Sequence, residues 1–212
     1  MPRQQQRGQA RRQQILDAAD RLFRRQGYAA TSMRQIAAEA GFGGNASGLY
    51  NHFASKEAIF AALLENRSPY QELLAALEEV QGRTLREFLR NWLAVVWPVM
   101  HEHLDFIQLV FIDLQEFEGR TLARFLNRII PHFFAIFSRL QRFPEVRRDL
   151  PLPVLMRTLA SVMIGNVLTE LLLQKNALAG MPFPLATGDA WLDGVASILA
   201  HGLAAQEDTD HD

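Results

Sequence analysis

Apolar residues recur at intervals of three and four along most of this chain, which is the spacing of one face of an α-helix. The first such pattern covers residues 9–26 and ends at Gly27. Its apolar stripe consists of Ile15, Leu16, Ala19, Leu22 and Phe23. No stretch shows the apolar and polar alternation of a half-buried strand. The pattern therefore predicts an all-α fold of about nine helices.

Two short helices separated by a glycine-rich turn are predicted within residues 32–53. Ser32 and Gln35 form a capping-box pattern, in which each side chain bonds an amide at the other end of the first turn. Gly41 ends this helix because glycine adopts positive φ at little cost. Asn45 is placed to cap the second short helix. This arrangement describes a helix-turn-helix, a motif that binds DNA.

The helical pattern continues to the end of the chain. Ser55 is placed to cap a fourth helix, and Pro69 ends or kinks it after Ser68, so the segment near Ser68 is the predicted domain boundary. Thr84 and Glu87 form a second capping-box pattern. The further helical segments are predicted over residues 69–80, 85–100, 104–117, 121–142, 153–176 and 189–205, with a Pro- and Gly-rich loop at 177–188.

These boundaries divide the chain into four segments. Residues 1–8 are predicted to be a disordered basic arm. Residues 9–69 form a three-helix DNA-binding domain, in which residues 32–53 are called the reading unit. Residues 70–205 form a larger helical domain for effector binding and dimerisation, and residues 206–212 form an acidic tail.

Charge is distributed unevenly, although the net charge is only -1. Residues 1–60 carry nine Arg or Lys against four acidic residues, whereas the remainder carries 13 basic and 19 acidic residues. A basic first domain suits a polyanion such as DNA. The chain has no cysteine and shows no apolar N-terminal signal, which favours a cytoplasmic protein. Its apolar stretches, such as Leu93 to Met100, are shorter than about 18 residues, so no membrane span is expected.

An ordered set of short motifs carries a family resemblance over roughly residues 9–69. The motifs are Thr31-Ser32, Ile36-Ala37, Ala40-Gly41, Leu49-Tyr50, His52-Phe53 and Ser55-Lys56-Glu57. Together they resemble the DNA-binding domain of the TetR family of bacterial transcriptional regulators. The resemblance implies a homodimeric repressor that binds a palindromic operator and is released by a small effector. It also implies that the last two long helices, near 153–176 and 189–205, pair as a four-helix bundle.

One departure from the family pattern affects the expected DNA contacts. Between Gly41 and Tyr50 this chain has about two more residues than the family usually shows, and we place the extra residues near Phe42-Gly43, in the turn. The second short helix then keeps its normal length. The predicted DNA-binding residues are Arg34, Asn45, Ala46, Ser47, Gly48, Tyr50, Asn51, His52 and Lys56.

These residue types suit different parts of a DNA duplex. Tyr50 and His52 resemble the family's backbone-anchoring pair, and each can donate to a phosphate oxygen. Lys56 is expected to bind a phosphate beside helix amides. Asn51 can bond adenine bidentately, while small residues such as Gly48 allow close approach to the groove.

The larger domain offers one candidate ligand site. Pro98 and Pro131 lie inside apolar helical patterns, and each frees the carbonyl four residues earlier. Such kinks could frame an aromatic pocket for an apolar or aromatic effector, or they could be tolerated bends in a solid core. The predicted ligand-binding residues are Trp97, Phe106, Asn127, His132, Phe133 and Phe137.

The sequence gives little support for a nucleotide-binding loop, a metal site or a catalytic site. The run from Gly41 to Ala46 fits a loose dinucleotide-loop pattern but follows a helix instead of a strand. His101 and His103 point in different directions on a helix, and nothing completes a metal set. We expect no cofactor, no metal and no enzymatic activity, since no nucleophile elbow is present. The alternative to a repressor is a small-molecule binding module with impaired or altered DNA binding.

Overall fold

The computed structural model describes residues 3–175 and 188–204. Within these ranges the chain forms ten α-helices, one 3-10 helix at Leu140–Arg142 and no strand, so the all-α prediction is confirmed. The number of α-helices exceeds the predicted nine by one because the helical segment predicted over residues 69–80 forms a separate helix, α5, which Pro69 divides from α4. The α-helices are α1 Arg3–Gln26, α2 Met33–Glu39, α3 Ser47–Tyr50, α4 Lys56–Asn66, α5 Tyr70–Glu78, α6 Leu85–Glu102, α7 Leu104–Phe117, α8 Arg120–Phe137, α9 Leu152–Gln174 and α10 Gly188–Leu203.

Helix α1 begins six residues earlier than predicted. Residues 3–8 are helical, so the prediction of a disordered arm is wrong for this segment, while residues 1–2 lie outside the described residues. The segment is rich in Gln and Arg, which lose little side-chain freedom in a helix, and it contains no proline after residue 2. The predicted apolar stripe of α1 is buried as expected, from Ile15 to Phe23.

The chain divides into two compact units, and the first contains the residues up to Ser68 together with Asp105–Asn127. In this unit α1 packs against α2 and α4, and α2 packs against α3. Phe117 at the end of α7 stacks on Phe60 of α4, with ring centroids 5.0 Å apart, and lies edge-on to Tyr28 at 4.8 Å. Because of this aromatic packing, the unit includes a segment that the sequence analysis assigns to the second domain.

A buried carboxylate joins α1 to the end of α4 in the first unit. Asp20 is 1% exposed, and its carboxylate oxygens lie 2.9 Å from Arg24 Nε and 3.1 Å from Arg67 Nη2. Burial raises the pKa of Asp20 above its ordinary value, although Arg24 and Arg67 oppose that shift. Arg67 also contacts Asp17 at 3.2 Å, so one guanidinium holds two residues of α1 against the C-cap of α4.

The second unit contains Pro69–Leu104 and the chain from Arg128 onward. Helix α6 is its centre and packs against α5, α9 and α10. Thr84 caps α6 by accepting the amide of Glu87 at 3.2 Å. The carboxylate of Glu87 accepts the amide of Arg83 at 2.8 Å, and no bond from Thr84 N completes the predicted capping box. The capping box at Thr84 is therefore only half formed.

Helices α8 and α9 differ from their predicted descriptions. Helix α8 ends at Phe137 instead of residue 142, and both Pro98 and Pro131 lie within continuous helices. The segment Leu152–Leu173 is long and apolar enough to cross a membrane by length and composition alone, which the sequence analysis did not expect. Much of its apolar surface is exposed in a single chain, as Ile164 is 63% exposed. The predicted loop at 177–187 and tail at 206–212 lie outside the described residues.

Candidate nucleic-acid interface

Local hydrogen bonds fix both ends of α2, the first helix of the reading unit. The predicted capping box is confirmed, because Ser32 Oγ accepts the amide of Gln35 at 3.2 Å and Gln35 Oε1 accepts the amide of Ser32 at 2.8 Å. At the other end, the amides of Gly41 and Phe42 donate to Ala38 O and Ala37 O, which is the Schellman pattern. These bonds orient α2 so that Ile36 and Ala37 are buried and Arg34 is exposed.

The turn after α2 depends on three glycines. Gly41, Gly43 and Gly44 have φ of 79°, 61° and 76°, a region that side chains with a Cβ adopt only with strain. The turn lies between Glu39, where α2 ends, and Ser47, where α3 begins, and it contains Phe42-Gly43, where we place the extra residues. The turn ends at Asn45, whose amide donates to Phe42 O at 3.2 Å.

Phe42 projects from the turn and packs across α3. A Cβ added to Gly48 would lie 2.6 Å from Phe42 Cδ1, so the ring occupies the space beside this glycine. The ring also lies under the Arg11 guanidinium, 4.7 Å from its centroid, and edge-on to His52 at 6.4 Å. The small size of Gly48 is therefore required within the protein, a reason other than the predicted close approach to DNA.

Helix α3 is a single turn, shorter than predicted, and exposes the residues around it. The N-cap of α3 is Ala46, without a side-chain cap bond, so the prediction of Asn45 as the N-cap is wrong by one position. Asn45 Oδ1 instead accepts the amide of Ser47 at 3.0 Å and also its hydroxyl. Leu49 is fully buried, whereas Tyr50 is 55% exposed. Of the other predicted positions, Asn51 and Ser47 are exposed, and Ala46, Gly48 and His52 are half-buried.

Arginines near the start of α1 border the reading unit. The Arg12 guanidinium lies 3.9 Å from the Phe53 ring centroid and donates to His52 O at 3.0 Å. Arg11 stacks on Phe42, and Arg7 lies one turn earlier and is exposed. Their position near the exposed start of α1 allows them to pair with DNA phosphates, as the sequence suggests. Arg11 and Arg12 therefore place positive charge beside the reading unit, which favours a polyanion.

Lys56 has intramolecular partners that the sequence did not indicate. Its ammonium donates to Tyr28 O at 2.8 Å and to Thr31 O at 2.7 Å, and it lies 4.0 Å from the Tyr28 ring centroid. Burial lowers the pKa of this ammonium, while Glu116 opposes the shift. The predicted role of Lys56 as a phosphate contact stays a prediction, but the geometry gives it a structural role in joining α4 to the loop after α1.

The predicted ligand-binding residues occupy different surroundings. Trp97 is half-buried with its ring 5.0 Å from that of Trp191, and Phe106 is buried within the first unit. Asn127 and His132 are exposed. The side chains of Phe133 and Phe137 lie outside the described residues. The ligand site therefore stays a prediction.

The two histidines at the end of α6 contact different carboxylates. His103 Nε2 lies 3.0 Å from Glu72 of α5, whereas His101 Nδ1 lies 3.8 Å from Glu170 of α9. Across residues 3–175 and 188–204, no three His, Asp or Glu side chains converge as a metal site. These histidines thus tie α6 to two neighbouring helices of the second unit.

Known proteins resemble this chain both in the reading unit and over most of its length. A family model for bacterial regulatory proteins of the tetR family matches residues 15–63, which include the whole reading unit. The chain is similar to solved structures of a TetR family transcription regulator from Marinobacter aquaeolei, with a TM-score of 0.65 and 21% identity over 95% of this chain and 100% of the other. Salmonella enterica GusR gives a TM-score of 0.65 and 21% identity over 92% and 95%. These structural similarities support the fold.

Sequence relatives identify the family. The transcriptional regulator YerO of Bacillus subtilis is 29% identical over 102 residues, which are 47% of this chain but only 35% of YerO. The transcriptional repressor AcnR of Corynebacterium diphtheriae is 31% identical over 168 residues, which are 74% of this chain and 79% of AcnR. This extended match and the N-terminal family model lead to one conclusion. The chain belongs to the TetR family of bacterial transcriptional regulators.

Proposed function

We propose that this protein is a homodimeric repressor of the bacterial cytoplasm that binds a palindromic operator through α3 and the residues beside it. The observation that carries the proposal is the exposure of Tyr50 and Asn51 at the end of a helix whose other side, at Leu49, is fully buried. Arginines of α1 flank this surface and supply positive charge for phosphates.

The geometry suggests different roles for the two asparagines. The amide oxygen of Asn45 already accepts two bonds from Ser47, so its carboxamide is poorly placed for a bidentate contact with adenine. Asn51 is exposed and is the better candidate for a base contact. Tyr50, His52 and Arg34 are proposed to bind phosphates, which position the protein without selecting a sequence.

An exposed apolar surface in the second unit supports the homodimer. Ile164, Leu168 and Leu172 recur every four residues on α9 and are 63%, 45% and 36% exposed. Ile198 of α10 is 74% exposed. Exposed stripes of this kind mark interaction sites. We propose that α9 and α10 of two copies pack together, and that the two α3 helices of the dimer bind half-sites about 34 Å apart, one turn of DNA.

Two substitutions separate phosphate contacts from base contacts. Tyr50→Phe removes a phenolic donor and should weaken binding about tenfold on every duplex, the value of roughly one hydrogen bond to a charged group. Asn51→Ala should relax the preference at one base position by about 1–3 kcal/mol. Both are measured by fluorescence anisotropy on matched and mismatched duplexes. Unchanged affinities in both variants would remove α3 from the interface.

We also propose that a small apolar or aromatic effector binds the second unit and shifts the dimer away from its DNA-binding arrangement. The half-buried Trp97 and Trp191 supply a fluorescence reporter in that unit. A panel of apolar and aromatic compounds should contain members that raise the melting temperature, change tryptophan emission and release bound DNA. If no member of a broad panel does so, the second unit has a solid core.

A further inference from the structure

The turn of the reading unit holds the Phe42 backbone in one conformation. Its amide donates to Ala37 O at 2.8 Å, and its carbonyl accepts the amide of Asn45 at 3.2 Å. The flanking Gly41 and Gly43 both have positive φ, which fixes the direction of the chain on either side. These backbone constraints therefore fix the direction in which the Phe42 side chain projects from the turn.

The ring of Phe42 connects three parts of the DNA-binding region. It lies under Arg11 of α1, beside Gly48 within α3, and edge-on to His52 after α3. A one-turn helix makes too few hydrogen bonds to hold its own orientation, because helices of this length are unstable alone. The orientation of α3 must come from packing, and Phe42 supplies part of that packing beside Gly48, while Leu49 is buried in the core.

We propose that Phe42 is a positioning residue that sets the angle of α3 and so determines the base preference of the protein without contacting a base. This inference depends on the proposed function, since it concerns how α3 meets DNA. Hydrogen bonds weaken steeply with angle, so a small rotation of α3 would cost the base contacts much of their discrimination. Phosphate contacts from flexible Arg and Lys side chains would change far less.

The packing of the Phe42 ring beside Gly48 predicts how substitutions at these two positions combine. In Gly48→Ala the added methyl would lie 2.6 Å from Phe42 Cδ1, so either the ring or α3 must move. In Phe42→Ala the ring is absent and α3 loses its support. In the double variant the new methyl enters the vacated space. The two positions should therefore show a non-additive, compensating interaction.

The test compares the wild-type protein with Phe42→Ala, Gly48→Ala and the double variant. For each protein, the affinity ratio between a preferred duplex, selected by the wild type, and a random duplex is measured with the melting temperature. Each single variant should lower this ratio about tenfold, the value of roughly one base contact. Affinity for random DNA should change far less than this ratio, and the double variant should recover part of the ratio lost by Gly48→Ala.

Two further variants keep the test decisive. Phe42→Tyr retains the ring and should retain the ratio, even if Phe42→Ala folds poorly. Phe111→Ala removes a phenylalanine from α7 that is 40% exposed and should leave the ratio unchanged. A Phe42→Ala protein that melts lower but keeps the wild-type ratio would overturn the inference, as would Phe42→Tyr losing it. A wild type without any sequence preference would instead overturn the proposed function.

Discussion

Arg67→Ala is expected to lower the free energy of unfolding by about 2–3 kcal/mol, one of the two largest effects that the structure predicts. The substitution removes a guanidinium that holds the buried Asp20 and the more exposed Asp17 against the end of α4. It leaves a carboxylate that is 1% exposed with only Arg24 beside it. A buried charge that loses a partner keeps its desolvation penalty, so the loss exceeds that of a surface pair.

The loss in Arg67→Ala should depend on pH with a definite sign. Burial already raises the pKa of Asp20, and removal of the Arg67 charge raises it further. An acid with a raised folded-state pKa stabilises the fold when protonated and loses that contribution as pH rises through the folded-state pKa. The free energy of unfolding that Arg67→Ala loses relative to wild type should therefore be largest at about pH 7 and should shrink as the pH falls towards about 4.

Urea unfolding at several pH values measures both effects. Arg90→Ala is the matched control, because Arg90 pairs with two aspartates, Asp189 and Asp193, which are 83% and 51% exposed. Water screens such surface pairs, so Arg90→Ala should change stability far less and show no shrinking deficit. Equal losses in the two variants, or a deficit that grows on acidification, would contradict this account of Asp20.

Lys56→Met is expected to lower the free energy of unfolding by about 2 kcal/mol. The methionine keeps the apolar length of the side chain but leaves the carbonyls of Tyr28 and Thr31 without the ammonium that binds them at 2.8 and 2.7 Å. The cation above the Tyr28 ring is lost as well. Because the main role of the Lys56 ammonium in this account is to bind these two carbonyls and not a DNA phosphate, the salt dependence of DNA binding should change little in Lys56→Met.

The control for Lys56→Met is Lys175→Met, which removes an exposed lysine at the end of α9. Thermal melting and the slope of affinity against salt are measured for both variants. If Lys56→Met melts like wild type but its salt slope falls by about one, the side chain is the phosphate contact that the sequence suggested. Reduced melting with an unchanged slope supports the structural role.

Features that depend on residues close together in sequence were predictable. Ser32 with Gln35, and Ser55 with the amide of Ala58, form the caps that their local spacing indicated. The buried side of α6 also follows the predicted period, with Leu85, Phe88 and Leu89 inside. Helix caps and amphipathic stripes are local physics, so one sequence specifies them.

Features that depend on distant residues could not be predicted. Nothing near Lys56 in the sequence indicates that carbonyls at positions 28 and 31 will surround its ammonium. The pair of Asp20 and Arg67 is separated by 47 residues. The sequence indicates Phe42 only as part of a longer turn, because the direction of its ring depends on the positive φ of Gly41, Gly43 and Gly44 and on packing from α1.

The central claim is that the surface around α3 binds DNA with sequence preference and that two such surfaces act together. The most direct measurement is selection of bound duplexes from a random pool by the purified wild-type protein at low ionic strength. The account predicts enrichment of an inverted repeat whose half-site centres lie about 10 base pairs apart, or a small multiple of one turn. A pool that shows no enriched sequence after repeated selection would contradict it.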